Sequence, residues 1–210
     1  MDDCCNAKEA ELTALPERQK KVLKITLAIN LVMFVLEFVY GTLARSTSLL
    51  ADSLDMLGDA LVYGVSLYAI GKSIRWETSV SLLKGVVMAL FGFWVVGQAV
   101  YRFTTPTLPV AETMGWVGGL ALVANVSCAA LLLRFRNDDL NMRSTWLCSR
   151  NDVIANIGVL IAAALVSTTN SHYPDLIVGI VISGLVLVSA YGVLRGAFKE
   201  ISRRKNFVST

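Results

Sequence analysis

The sequence predicts an all-α polytopic membrane protein: a bundle of six transmembrane helices with both termini in the cytosol. Three observations lead there. The 210 residues are 55% hydrophobic, with a mean hydropathy of +0.60, too apolar for an ordinary soluble domain. Six stretches approach the roughly 20 apolar residues that cross a bilayer, near 22–41, 49–71, 79–101, 115–133, 147–168 and 174–194. The 19 Lys and Arg are also split unevenly. All but Arg45 and Arg102 fall on the side that the two ends of the chain share, and basic residues mark the cytosolic side of a membrane protein. Most connections are short, which makes consecutive helices antiparallel neighbours.

Residues 1–21 are polar and read as a cytosolic tail, 22–198 as the six-helix domain, and 199–210 as a basic cytosolic tail. The first apolar stretch follows this polar start and lacks a short apolar run with a small-residue cleavage site, so it is expected to stay as a span. Cys4 and Cys5 in MDDCCN lie at an end, where chains are ordinarily disordered, and a soft metal is the other partner they suit. With the ends in a reducing compartment, no disulfide framework is expected.

Span one carries Glu37 near its outer end, in VLEFVYG. Two readings stand for it: a proton relay or support for an ion site, as intramembrane acids usually are, or a structural acid hydrogen-bonded between helices. Span two, SLLADSLDMLGDALVYGVSLYAIGK, holds Asp52, Asp55 and Asp59. At 100° per residue all three fall on a stripe about 60° wide, opposite Leu, Val and Ala. Packing alone does not explain three acids on one stripe of a membrane helix. In span three Gly85, Gly92 and Gly97 permit close helix approach, and Gln98 is expected at the interface. Pro106 and Pro109 impose an extended outer connection. In span four Asn125 reads as interhelical glue and Cys128 as a small buried apolar residue. Span five places Cys148, Asp152 and Asn156 in an i, i+4, i+8 ladder, with Arg150 reaching toward headgroups. His172, the single histidine, lies in SHYPD and reads as a surface residue.

The chemistry resides in two pairs, Asp55 with Asp59 and Cys148 with Asp152. An i, i+4 spacing puts both members of a pair on one helix face, and together the four can close around one divalent cation. Carboxylate oxygens and a thiolate suit zinc or cadmium; magnesium and calcium prefer all-oxygen shells. Asp52, Glu37 and Asn156 are second choices, expected as supporting contacts. Metal binding requires deprotonated ligands and so expels protons, which makes a metal–proton exchange chemically natural. Counted from the helix ends, however, the two pairs are offset by about two turns. Asp55 and Asp59 lie in the outer half of span two, and Cys148 at the cytosolic start of span five.

Several functions are excluded or disfavoured. The chain contains no P-loop, nucleophile elbow or dinucleotide fingerprint, so no ATP-driven step or prosthetic group is expected. Its basic residues bracket spans and suit anionic lipid headgroups; nucleic-acid binding is not expected. Four protein ligands argue against a metalloenzyme, which needs an open coordination position. A non-transporting metal sensor would need a signalling partner or domain.

The segments SLLADSLDMLGDALVYGVSLYA and DLNMRSTWLCSRNDVIANIGVLIA, with EFVYG and ALVANVSCAALLLR, resemble the cation diffusion facilitators, six-span exporters of zinc and related ions. The likeness covers nearly the whole membrane region. It implies a metal site of Asp or His, three residues, then Asp on spans two and five, here Asp55, Asp59, Cys148 and Asp152. It also implies exchange of cytosolic metal for protons by alternating access, with a homodimer as a plausible assembly. Cys148 replaces the His of many relatives and softens the ligand set toward zinc and cadmium; cobalt, nickel, manganese and iron are the other metals of this class. The sequence reads as a member lacking the C-terminal cytosolic domain of many relatives. With no organelle signal visible, a bacterial inner membrane is expected.

Overall fold

A computed structural model describes residues 17–69, 74–135 and 140–208. Among them the chain forms six α-helices and no strand: α1 Glu17–Leu43, α2 Thr47–Ala69, α3 Ile74–Thr104, α4 Ala111–Leu133, α5 Leu140–Thr169 and α6 Tyr173–Val208. Each predicted span lies on its own helix, but the helices outrun the apolar stretches. α5 starts seven residues before the predicted span five, and α6 runs unbroken through the basic residues beyond 198. Hydropathy detects the part of a helix in hydrocarbon, whereas the backbone stays helical into the headgroup region.

Among the described residues five of the six helices are long and apolar enough to cross a membrane by length and composition; α2 is the exception. At 23 residues α2 is about 35 Å long, so length is not the reason. Its three acids are, and the fold shows why they are tolerated. α2 packs against α1, α3, α5 and α6, and none of its described residues is exposed. Leu49, Leu50, Ala51 and Leu54 are at most 2% exposed and join side chains of α3, α4, α5 and α6 in the main core. The apolar face of α2 therefore meets protein rather than lipid. The lipid-facing belt comes from the other helices, for example Leu31 and Val35 of α1, Leu90 and Phe93 of α3, and Ile161 and Leu165 of α5.

The links are built tightly. α1 ends in a Schellman turn: Arg45 takes the left-handed conformation (φ 53°), Ser46 N–H donates to Gly41 O at 2.9 Å and Arg45 N–H to Thr42 O at 3.2 Å, the pairing that closes a helix C-terminus. Residues 106–110 are non-helical, as the two prolines require, and Val110 N–H ties this link to Ala44 O at 3.0 Å. Asn170 (φ 50°) turns α5 into α6. Gly85 and Gly92 let α3 approach α6, since a Cβ on either would stand 2.7–2.8 Å from Leu194 or Leu187. Gly97 has open space beside it, so it does not serve the close approach expected of it.

Candidate functional site

A polar seam crosses the core where α1, α2, α4 and α5 meet. Asn125 of α4 donates through Nδ2 to Asn156 Oδ1 of α5 at 3.2 Å, and Asn156 donates through Nδ2 to Asp52 Oδ2 of α2 at 2.6 Å. All three side chains are fully buried. Glu37 of α1, 0% exposed, lies within electrostatic reach of Asp52 and Asp55. Asn125 is thus interhelical glue, and Asn156 a supporting contact, as their residue types suggested.

The Asp52–Asn156 bond also fixes how α2 and α5 slide past one another. The helices run in opposite directions, so three residues from Asp52 to Asp55 and four from Asn156 to Asp152 lead toward the same, cytosolic end. At 1.5 Å per residue Asp55 and Asp152 lie about 4.5 Å and 6 Å beyond the bond. Asp59 and position 148 lie about 10.5 Å and 12 Å beyond it by the same rise. The backbone positions of the two pairs therefore lie at matched depth. The expected two-turn offset is absent, because helix ends were the wrong rulers: α5 begins at Leu140, well before Cys148.

Asp55, Asp59 and Asp152 are half-buried. Tyr63 Oη donates to Asp59 Oδ2 at 2.8 Å, one turn along α2. The side chain of Cys148 lies outside the described residues. Among the described residues, no three of His, Cys, Asp and Glu stand close enough together to hold a metal ion. Cys128, 1% exposed on α4, is buried as expected and lies within electrostatic reach of Asp59. Arg150 is exposed, its guanidinium 5.7 Å from the Trp146 ring centroid, in keeping with an outward reach. His172 is half-buried with its ring against Tyr173 (centroids 4.3 Å apart). Cys4 and Cys5 lie outside the described residues.

A second polar cluster closes the outer end, and the sequence reading missed it. Asp175, in the first turn of α6, caps the N-terminus of α2 from across the bundle. Its Oδ2 accepts Thr47 N–H at 2.7 Å. Its Oδ1 accepts Ser48 N–H at 3.0 Å and the Ser46 and Ser48 hydroxyls at 2.6 Å each. These amides are helix-start donors with no partner inside α2, and a carboxylate there also meets the positive end of the helix dipole. Arg102, at the end of α3, donates to Thr47 Oγ1 at 3.0 Å while 8% exposed. Gly179 makes room, since a Cβ there would stand 2.7–2.9 Å from Thr47 and the Ser48 amide. The usable signal was the Ser46–Thr47–Ser48 run, which is N-cap chemistry; its partner 127–129 residues away leaves no local trace.

Acids sequestered inside a membrane-embedded helix bundle ordinarily mark an ion or proton pathway. The chain belongs to the cation efflux family: residues 23–202 match its cation efflux transmembrane domain. Among similar proteins are the zinc transporter ZitB of Yersinia pestis (28% identical over 198 residues, 88% of this chain and 64% of the relative) and the cadmium, cobalt and zinc/H(+)-K(+) antiporter of Bacillus subtilis (26% over 190 residues, 84% and 61%). A third is the cation efflux system protein CzcD of an Alcaligenes species (22% over 198 residues, 89% and 63%). The chain spans less than two thirds of the length of these relatives. It is an integral membrane protein. Its relatives are bacterial, and its spans are helices rather than the barrel strands of outer membranes, which places it in the bacterial inner membrane.

Proposed function

We propose that this chain moves zinc, and secondarily cadmium, out of the cytosol in exchange for protons by alternating access. One observation carries the reading: two helices carry metal-ligating residue types in i, i+4 pairs whose backbone positions lie at matched depth within the bundle. Asp55 and Asp59 from α2, with Cys148 and Asp152 from α5, are the ligands we assign. The relatives' names, zinc transporter and cadmium, cobalt and zinc/H(+)-K(+) antiporter, support both the cargo and the exchange. The chain acts as a carrier, not an enzyme, and as a homodimer in the bilayer by likeness to its family.

Proteoliposomes holding the purified chain and an internal pH dye test this. Zinc added outside should enter and drive protons out, so the lumen turns alkaline. Metal entry that leaves the dye unchanged overturns the exchange, and no protein-dependent entry overturns transport. Competition by cadmium, cobalt, nickel, manganese and iron(II) then probes the sulfur. Cys148→His should weaken the competition by cadmium about tenfold relative to that by cobalt, since imidazole is harder than thiolate. An unchanged order would remove residue 148 from the ligand set.

A further inference from the structure

The quartet assigned to the metal leaves a second set of buried polar atoms unexplained. Both carboxylate oxygens of Glu37, Oδ1 of Asp52 and Oδ1 of Asn125 are shut off from solvent and have no hydrogen-bond partner. Buried oxygens of this kind ordinarily find a donor, water or an ion. They come from three helices, α1, α2 and α4. Asp52 and Asn125 are joined through Asn156, and Glu37 lies within electrostatic reach of Asp52. Every unpartnered atom is an oxygen acceptor, and the set holds no sulfur or imidazole. Such a set does not compete with Asp and Cys ligands for a soft dication. It suits a small hard cation.

Position adds to this. Glu37 lies six residues from the outer end of α1, and Asp52 five residues from the outer end of α2, roughly 8–9 Å in by helix rise. The metal quartet lies on the cytosolic side of Asp52. The Glu37 and Asp52 oxygens thus stand between the quartet and the outer face. The charged groups within electrostatic reach of Glu37 are Asp52 and Asp55 from α2; Asp59 and Cys128 lie further toward the cytosol.

We infer that Glu37, with Asp52, forms a counter-cation site separate from the metal ligands, which takes up a hard monovalent cation from the outer side as the metal leaves. The inference rests on the exchange proposed above. With a proton as the cation, an O–H bond forms on a Glu37 oxygen, the proton comes from the outer solution, and reversal returns it to the cytosol. With sodium or potassium, the same oxygens coordinate the ion and no bond is made. Either way one positive charge travels against the dication, and Asn156 holds Asp52 oriented toward the site.

The test uses the full chain in proteoliposomes, with zinc uptake driven in turn by an imposed pH, sodium or potassium gradient, and zinc affinity measured by calorimetry in detergent. In the wild type one gradient should accelerate uptake at least fivefold and name the cation. Glu37→Gln should bind zinc within threefold of wild type yet lose that acceleration, and Glu37→Asp, which keeps the carboxylate, should restore part of it. Glu37→Gln that still responds fully to the gradient overturns the counter-cation site and leaves the exchange standing. So does loss of zinc binding in Glu37→Gln with normal coupling in Glu37→Asp, because Glu37 would then belong to the metal site. A wild type indifferent to all three gradients overturns the site and the exchange together.

Discussion

Asp59→Ala is expected to abolish zinc uptake in proteoliposomes while the bundle stays folded. Asp59 lies near the middle of α2, half-buried, on the face the metal reading requires. Loss of a supporting residue around a metal typically lowers affinity or activity about 10–100-fold, and loss of a direct ligand is expected to exceed that. The structural penalty is small by comparison. The Tyr63 hydroxyl loses the acceptor it has at 2.8 Å, worth about 1 kcal/mol and a fall of about 2–4 °C in Tm for a chain of this size. Uptake above a tenth of wild type, in protein whose melting is nearly unchanged, would move the metal site elsewhere.

The largest effect on stability is expected at Asp175→Ala. Four hydrogen bonds to the start of α2 disappear together, and the Thr47 and Ser48 amides stay buried without acceptors. Charge-assisted bonds contribute about 1.5–3 kcal/mol each where they are buried, though members of one cluster do not add independently. A loss of about 3–5 kcal/mol is expected, as for a broken buried pair, read as a fall of about 6–20 °C in detergent melting. Asp175→Asn, which keeps one acceptor oxygen, should recover roughly half. Gly179→Ala reaches the same joint by steric means and should destabilise in the same direction. An Asp175→Ala protein that melts within 2 °C of wild type would show that the outer cap contributes nothing to holding α2.

These two sites differ in how far a sequence discloses them. Asp55 and Asp59 are conspicuous because charge inside an apolar stretch is rare, and their spacing puts them on one helix face whatever surrounds them. The six helices are legible for a similar reason, since apolar length reports directly on bilayer thickness. What the sequence could not supply was the depth and partner of one helix against another. The depth of Cys148 relative to Asp59 could not be had from helix ends, because α5 extends well beyond its apolar part. It needed the Asp52–Asn156 bond, a contact between residues 104 apart. Asp175 was overlooked because an acid beside a proline at the start of a span is unremarkable until Ser46–Ser48 is seen beneath it. What covers the apolar side of α2 was illegible for the same reason. A stripe of Leu and Val looks alike whether lipid or protein covers it.

The enclosure of α2 bears on how the chain enters the membrane at all. In cellular insertion each Asp near a helix centre opposes entry by about 2.5–3.5 kcal/mol, and α2 carries three acids. On its own it is a poor client for the translocon. The tight turn at Arg45 makes α1 and α2 a hairpin, and α1 is amply apolar. α2 is therefore expected to integrate co-translationally as the passenger of α1, its acids screened from lipid from the moment of entry. Glycosylation-site mapping of α2 expressed with and without α1 reads this out, and efficient integration of α2 alone would contradict it.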